Sequence, residues 1–156
     1  MQALNLPNYP FKIVEKEGKL KIFDPLRKRY LVLTPEEWVR QHFIQFLVKE
    51  KGFPGGLFSI EHKVKHHQRS GRYDALCLDR HGRPLFLLEC KAPEVAIGSA
   101  SFDQVLRYNQ SIGAPFLALT NGMDHYVIRV DFQEREMKFL PELPDFEYLA
   151  QQIEAR

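Results

Sequence analysis

GRYDALCLDRHGRPLFLLECKAPE, residues 71–94, contains two apolar runs on either side of a polar stretch with a glycine, and this pattern predicts a β-hairpin. With residues 80–83 as a four-residue loop, counting outward along both strands places Asp74 directly opposite Glu89. Directly opposed side chains share one face of the sheet, with Cβ atoms about 5 Å apart. The hairpin is therefore predicted to hold two carboxylates side by side near one end.

A lysine accompanies the two carboxylates. Lys91 lies two residues beyond Glu89 and therefore points to the same face, whereas Cys90 points to the other face. Two facing carboxylates repel each other unless a cation lies between them. Lys91 is one such cation, but a divalent ion that also binds water and phosphate oxygens fits the pair better and is typical of a catalytic Mg²⁺ site. Such an ion beside a lysine that orients water is the chemistry of phosphodiester hydrolysis.

A surface salt-bridge ladder is the alternative interpretation of Asp74, Glu89 and Lys91, because neighbouring charges on a hairpin are commonly of that kind. On these three residues alone, both interpretations stay open. The apolar run at residues 85–88 favours a central strand that is buried on both faces over a solvated edge.

The composition is that of one globular domain. The chain has 156 residues, of which 44% are hydrophobic and 27% charged. Its net charge of +2 is too small to indicate a nucleic-acid or membrane partner by itself. Cys77 and Cys90 alternate with core-type residues and are predicted to be buried thiols in a reducing compartment. No segment has the pattern of a signal peptide or of a membrane span, so we expect a cytoplasmic protein with no membrane partner.

The remaining patterns predict a mixed-sheet α/β or α+β fold with the order helix, three strands, helix, strand and an extra hairpin at each end. A helix is expected to begin after the capping residue Thr34 and to end near Lys51, with Val39, Phe43, Phe46 and Leu47 on its apolar side. The other predicted elements are a hairpin over 11–33, a strand over 57–67, a helix over 97–113, a buried strand over 114–122, a further strand pair and a closing helix.

The first predicted helix carries two acids near its start. A helical wheel places Glu36 in the middle of the apolar stripe and Glu37 about a quarter turn away. An acid on a buried face could reach a metal ion or its bound water, so Glu36 is the first candidate for a further site acid and Glu37 the reserve. The alternative is charge complementation of the helix N-terminus, which either residue can provide.

Tyr-Asp at 73–74 followed by Glu-Cys-Lys at 89–91 resembles the PD-(D/E)xK nuclease signature, with Tyr73 in place of proline. The surrounding residues 34–122 resemble the N-terminal nuclease domain of type I restriction enzyme R subunits. The shared features are an arginine before the aspartate, an ECKAP strand, a Gln-x-x-x-Tyr helix and a strand that ends in TNG. In this sequence they are Arg72, Glu89–Pro93, Gln104 with Tyr108, and Thr120–Gly122.

We expect a single domain of residues 1–156, divided into an extension (1–33) with an extra N-terminal hairpin, a nuclease core (34–122) and C-terminal strands with a helix (123–156). For the core, the resemblance implies a restriction-endonuclease-like three-layer sandwich, in which a mixed central sheet is flanked by helices. It also implies DNA as partner and Mg²⁺ as cofactor, with Mn²⁺ as a substitute. The metal ligands would be Asp74, Glu89 and the backbone carbonyl of Cys90, with Lys91 and Gln104 as further catalytic residues.

Several residues near the hairpin have weaker signals. Tyr108 lies one turn from Gln104 and is expected to pack beneath the site. A local basic track could follow a phosphate backbone, although a solvated loop explains it equally well. Its candidate residues are Lys63, Lys65, Arg69, Arg72 and Arg107.

The sequence departs from the R subunits in two respects, one of which is the N-terminal hairpin that falls outside the resemblance. It contains no G-x-x-x-x-G-K-[ST] loop, so we expect a free-standing nuclease-type domain without a motor. The alternatives are a catalytically silent nucleic-acid-binding or assembly module, and an enzyme that acts on RNA or branched DNA. A homodimer is left open.

Overall fold

A computed structural model of the protein describes residues 1–60, 63–66, 69–72 and 74–154, of which 63–66, 69–72 and Glu154 are described by their backbone alone. The strands are β1 (Ile13–Lys16), β2 (Lys19–Asp24), β3 (Arg29–Val32), β4 (Phe58–Ile60), β5 (Lys63–His66), β6 (Arg69–Arg72), β7 (Ala75–Leu78), β8 (Pro84–Cys90), β9 (Phe116–Thr120), β10 (His125–Asp131) and β11 (Glu136–Leu140). The helices are α1 (Pro35–Glu50), α2 (Ser99–Ile112) and α3 (Phe146–Glu154). Within these ranges, no helix combines the length and the apolar character that a bilayer crossing requires.

The central sheet has the strand order β11-β10-β9-β8-β7-β4. β8 and β9 run parallel and are connected through α2, whereas the other neighbouring strands of this sheet run antiparallel. β8 and β9 lie at the centre, and β9 is buried along its whole length, as its continuous apolar sequence predicts. The carboxyl ends of β8 and β9 therefore meet at one edge of the sheet.

Two hydrophobic cores cover the two faces of the central sheet. On one face, α1 and α3 pack against the inward side chains of β7, β8 and β9, such as Phe86, Leu88 and Cys90. On the other face, α2 packs through Val105 against the alternate side chains, such as Leu87. Helices on both faces of a mixed sheet make a three-layer α/β sandwich, so the predicted fold class is confirmed.

The register of the β7–β8 hairpin is the predicted one at the end that carries the acids. Ala75 pairs with Leu88, which sets Asp74 opposite Glu89. Nearer the turn the prediction is wrong, because a β-bulge pairs Leu78 with Pro84 where the four-residue loop predicts Leu85.

The turn itself accounts for this bulge. Gly82 has φ +78° and its N–H bonds to the carbonyl of Asp79, while the Asp79 carboxylate accepts the N–H groups of His81 and Arg83. This turn, capped by the Asp79 carboxylate, is one residue shorter than the predicted four-residue loop. The β-bulge compensates for the missing residue, so the strands return to the predicted register before they reach Asp74 and Glu89.

Two further strand predictions are corrected. The predicted hairpin at 11–33 is a three-stranded meander, β1–β2–β3. The predicted single strand at 57–67 is divided between β4, which pairs with β7, and β5, which pairs with β6 in a separate two-stranded sheet. Ala75, the first residue of β7, pairs with Ile60, the last residue of β4.

Helix α1 begins as predicted, since the Thr34 side chain accepts the N–H of Glu37 at 3.0 Å. The buried surface of α1 extends beyond the predicted apolar stripe. The chain segment that precedes β1 covers the side of α1 that faces away from the central sheet. There the ring of Phe11 lies 4.8 Å from that of His42 and 6.1 Å from that of Trp38. Polar residues of α1 are therefore enclosed, and each needs a partner inside the protein.

Candidate active site

Asp74 and Glu89 meet at the carboxyl end of β8. Asp74 directly precedes β7, and its Oδ2 accepts the backbone N–H of Cys90 at 2.7 Å. Glu89 is the penultimate residue of β8, next to the parallel neighbour β9. Ligand sites in α/β sheets commonly lie outside the carboxyl ends of parallel strands. The hairpin register and the parallel pairing thus bring two acids to such an edge.

Both carboxyl groups are buried, with Asp74 7% and Glu89 9% exposed. Burial raises the pKa of Asp74 to about 6, although the N–H of Cys90 and the charge of Arg40 oppose the shift. Burial, and then the charge of Asp74, raise the pKa of Glu89 to about 8, although Lys91 opposes the shift. Within the described residues, Glu89 Oε2 is buried without a hydrogen-bond partner. The pair therefore needs a proton or a further cation between its oxygens.

Lys91 is tethered beside this pair. Its Nζ lies 3.5 Å from Glu89 Oε1 and donates a hydrogen bond to Gln104 Oε1 at 3.2 Å. Gln104 in turn donates from Nε2 to the hydroxyl of Tyr108 at 3.2 Å. The structure thus links the Gln-x-x-x-Tyr pair of α2 to the polar end of the hairpin through Lys91. These bonds position the ammonium group next to the carboxylates.

Arg40 contacts the site, and the sequence analysis missed it. Its Nη1 lies 3.5 Å from Asp74 Oδ1, and its Nε donates to Glu37 Oε2 at 2.9 Å; it is 5% exposed. A signal was present in the sequence, because Glu37 and Arg40 form an i, i+3 pair of opposite charges on the predicted helix. Such a pair, once buried, indicates a charge network that continues beyond the helix.

The predicted ranking of the two helix acids by burial is wrong. Glu36 is exposed, whereas Glu37 is buried and bonded to Arg40 and to Gln41 at 3.0 Å, with Arg27 of the meander 3.8 Å away. The helical wheel was interpreted with a single buried face, whereas α1 is also buried on the side that carries Glu37. Glu36 is nevertheless near the site, because its charge raises the pKa of both Asp74 and Glu89.

An open cleft of about 540 Å³ lies against this network. It is bounded by the meander, the start of α1 and the segment after β8. The lining residues are Leu31, Val32, Thr34, Pro35, Glu36, Glu37, Arg40, Ala92 and Glu94. A substrate could therefore approach between β3 and the segment that follows Lys91.

The Thr120–Gly122 turn holds that segment in place. The carbonyl of Thr120 accepts the N–H of Lys91 at 2.8 Å, and Asn121 Nδ2 donates to the carbonyl of Val95 at 2.9 Å. Gly122 has φ +85°, and a Cβ there would meet Leu4 Cδ2 at 2.8 Å. The TNG motif thus has a structural role, which is to anchor the segment that carries Lys91.

The donors present suit a hard divalent cation with an incomplete protein ligand set. Among the described residues, no group of three or more His, Cys, Asp or Glu side chains could hold a metal ion. Mg²⁺ needs no such cluster, because it commonly takes one or two carboxylates and keeps water and phosphate oxygens for the rest. The N–H of Cys90 points to Asp74, and in an extended strand its carbonyl points the same way. The buried, unpartnered oxygen of Glu89 fits this ligand set.

The cysteine thiols are unsuited to this chemistry. Burial raises the pKa of Cys90 far above its ordinary value and that of Cys77 to about 12. Both are free and buried, as the sequence predicts.

The predicted phosphate track falls largely outside what the structure describes. The backbones of β5 and β6 pair Lys63 with Arg72 and Lys65 with Ser70, but the side chains of Lys63, Lys65, Arg69 and Arg72 lie outside the described residues. Arg107 is exposed on α2. The track stays a prediction.

Comparison with known protein families gives a match for this chain. The family model described as type I restriction enzyme R protein N terminus matches residues 35–144. The chain belongs to this family. No curated relative matches the chain significantly.

One solved structure shares the fold of this family member. It is described as a fragment of an HsdR subunit of a type I restriction enzyme from Vibrio vulnificus YJ016, with a TM-score of 0.56 and 21% identity. The similarity covers 78% of this chain and 25% of that one. The chain thus spans about a quarter of the length of that protein. The family match begins at the start of α1 and leaves the β1–β3 meander outside.

The raised pKa of Glu89 gives the first testable expectation. A folded-state pKa above the ordinary value of 4.5 favours folding below that value, and this stabilisation is lost as the pH rises to about 8. The metal-free protein should therefore lose stability over this interval. Glu89→Gln should remove most of the loss and raise the free energy of unfolding at about pH 8 by about 2 kcal/mol. Urea denaturation in a chelator at several pH values measures both effects.

The matched control for that experiment is Glu142→Gln, which changes an exposed glutamate and should leave the pH dependence as in the wild type. A Glu89→Gln protein that is less stable than the wild type at about pH 8 would contradict the explanation, because Glu89 would then be stabilised by its surroundings as an anion.

Proposed function

We propose that this domain is a divalent-metal-dependent nuclease that hydrolyses DNA phosphodiester bonds. The observation that carries the proposal is the buried Oε2 of Glu89, which has no hydrogen-bond partner in the described part of the chain and lies opposite a second buried carboxylate, Asp74. Two buried carboxylates that need a cation between them, beside a lysine held by hydrogen bonds, are expected at a catalytic metal centre. Membership in the family of type I restriction enzyme R protein N termini supports the same reaction class.

The carboxylates of Asp74 and Glu89 and the carbonyl of Cys90 would hold Mg²⁺ or Mn²⁺, with water and a phosphate oxygen in the remaining positions. A bound ion of this type polarises the phosphate and lowers the pKa of its water. The opposed carboxylates would then both be anionic at neutral pH, because the cation removes the repulsion that raises their pKa values.

Lys91 acts on the reacting phosphate. Its ammonium group would donate to the attacking water or to a phosphoryl oxygen, where negative charge grows in the transition state. Gln104 positions that ammonium through the 3.2 Å hydrogen bond, and Tyr108 positions Gln104. Arg40 keeps Asp74 available as an anion. Glu36, at the cleft, is placed where it could hold a water molecule near the site.

Cleavage assays on the intact chain test the proposal. Supercoiled, linear, single-stranded and branched DNA, together with RNA of matched sequence, are incubated with Mn²⁺, Mg²⁺, Ca²⁺ or a chelator. We expect cleavage of DNA with Mn²⁺ and Mg²⁺ and none with Ca²⁺, which prefers more ligands at longer and more flexible distances. A Glu89→Gln protein purified in parallel controls for contaminating nucleases.

Two outcomes would replace the proposal. Cleavage of RNA without cleavage of any DNA would reassign the substrate. No cleavage of any substrate with Mn²⁺, at enzyme concentrations at which nucleic acid is bound, would identify a silent binding module with the same fold.

A further inference from the structure

The β1–β3 meander carries lysines on one face. Cross-strand partners lie on the same face, and the register pairs Lys16 with Lys19 and Lys21 with both Val14 and Val32. Lys12 joins them, because its Nζ lies 5.6 Å from the ring centroid of Phe23, two residues from Lys21. We call this surface the lysine face and define it by Lys12, Lys16, Lys19 and Lys21.

Apolar and aromatic groups fill the positions between these lysines. Tyr30 pairs with Phe23, their ring centroids are 5.1 Å apart, and Tyr30 is 43% exposed. In β1–β3, all of which the structure describes, the strand acids Glu15 and Asp24 pair with Leu20 and Arg29 and so lie on the opposite face. A surface with several cations, an exposed tyrosine ring and no strand acid is complementary to a polyanion with flat bases.

The lysine face leads into the cleft at the candidate active site. Val32, which lies on this face and is 47% exposed, also lines the cleft together with Glu36 and Arg40. Arg40 contacts Asp74 at 3.5 Å. A chain laid across the meander can therefore pass over β3 into the cleft, whose lining residue Arg40 contacts one of the two site carboxylates.

The described lining of the cleft offers little affinity for a nucleic acid. It includes Glu36 and Glu94, and its Arg40 is engaged with the buried acids Glu37 and Asp74. Affinity for a phosphate backbone comes largely from lysines and arginines that displace its counterions. The lysine face offers such cations beside the acidic cleft.

We propose that the lysine face binds the sugar–phosphate backbone of a nucleic acid and directs it into the cleft. This inference rests on the proposed function for its choice of partner. The continuity with a candidate phosphodiesterase site favours nucleic acid over an anionic membrane surface. Because the meander lies outside the family match at residues 35–144, this binding surface belongs to the part of the chain that the family model does not include.

Salt-dependent binding tests the inference. The affinity of the full chain for duplex and single-stranded DNA is measured by fluorescence anisotropy in Ca²⁺, over a range of salt concentrations. The variant is Lys16→Gln with Lys19→Gln, which removes two exposed cations from the end of the β1–β2 hairpin. The matched control is Arg135→Gln with Lys138→Gln, which makes the same charge change on exposed residues at the β10–β11 hairpin.

We expect the variant to bind duplex DNA about 10-fold more weakly at low salt, and its slope of log affinity against log salt to be smaller by about 2 than that of the wild type. The control should keep the wild-type slope. Tyr30→Ser should weaken binding of single-stranded DNA more than that of duplex, because only unpaired bases can stack on the ring. Thermal denaturation of each protein verifies that the fold is retained.

Equal slopes for wild type, variant and control would overturn the inference, as would binding to anionic phospholipid vesicles that exceeds DNA binding at equal salt and is lost in the variant. The assay contains no cleavage step, so its result is independent of the proposed function. If the wild type cleaves no substrate but the variant has a smaller salt slope, the lysine face binds nucleic acid and the proposed nuclease function is wrong. If the wild type cleaves DNA and the variant keeps the wild-type slope, the proposed function holds and the lysine face is not the binding surface.

Discussion

Lys91→Ala is expected to lower the rate of DNA cleavage by at least about 10²-fold while the protein stays folded and retains metal and DNA binding. The ammonium group lies beside the metal-binding carboxylates, 3.5 Å from Glu89, without being a metal ligand itself. Its charge matters most where negative charge develops on the phosphate, so its loss should affect the transition state more than the bound substrate. Single-turnover cleavage with saturating Mn²⁺, together with a binding titration in Ca²⁺, measures the two quantities separately.

The control for Lys91→Ala is Lys138→Ala, which removes an exposed lysine from β11 and should leave the cleavage rate unchanged. Gln104→Ala should give a smaller loss than Lys91→Ala, because it frees the ammonium group without removing it. A Lys91→Ala protein that cuts within a few-fold of the wild type would exclude the lysine from the reaction. If its loss of rate is matched by a loss of DNA affinity, Lys91 contributes to substrate binding instead.

Arg40→Leu is expected to lower the free energy of unfolding by about 3–5 kcal/mol at about pH 8. Arg40 is buried between the carboxylates of Glu37 and Asp74, and its removal takes the nearest cation from both, although Arg27 stays 3.8 Å from Glu37. Below the raised pKa of Asp74, about 6, that carboxyl is protonated and needs no cation, so the destabilisation should be smaller at about pH 5. Urea denaturation of the metal-free protein at both pH values measures the difference.

Two variants make the Arg40 experiment specific. Arg107→Leu changes an exposed arginine of α2 and should shift stability by less than about 0.5 kcal/mol. Arg40→Lys keeps the charge but loses the paired hydrogen bonds to Glu37, so it should fall between the wild type and Arg40→Leu. A destabilisation by Arg40→Leu that is equal at both pH values would mean that Arg40 serves Glu37 alone.

The predictable parts of the fold are those that depend on neighbours in sequence. Counting outward from the predicted loop placed Asp74 opposite Glu89, and the β-bulge restores this register beyond the tighter turn. The cap at Thr34 and the glycine at the end of α2 likewise act within one turn of their helices. The division of residues 57–67 between β4 and β5 was not predictable in this way, because it depends on where β7 begins.

The candidate site shows the same difference between features set by neighbours in sequence and features set by distant elements. Asp74, Glu89 and Lys91 could be chosen from the sequence, since their shared face follows from strand alternation and the hairpin count. The raised pKa values of Asp74 and Glu89, and the Glu89 oxygen that has no hydrogen-bond partner among the described residues, could not, because these depend on burial beneath helices from distant parts of the chain.

By itself, the sequence determined the hairpin that carries the acids, the helices and the chemistry of the side chains at the end of β8. The tertiary structure alone decided that Glu37 would be enclosed and Glu36 exposed, that Arg40 would contact Asp74, and that the lysines of the meander would lie beside the cleft. The physical reason is the distance along the chain over which each interaction acts. Strand alternation and helix capping act over a few residues, whereas burial and the pairing of buried charges depend on which distant elements pack together.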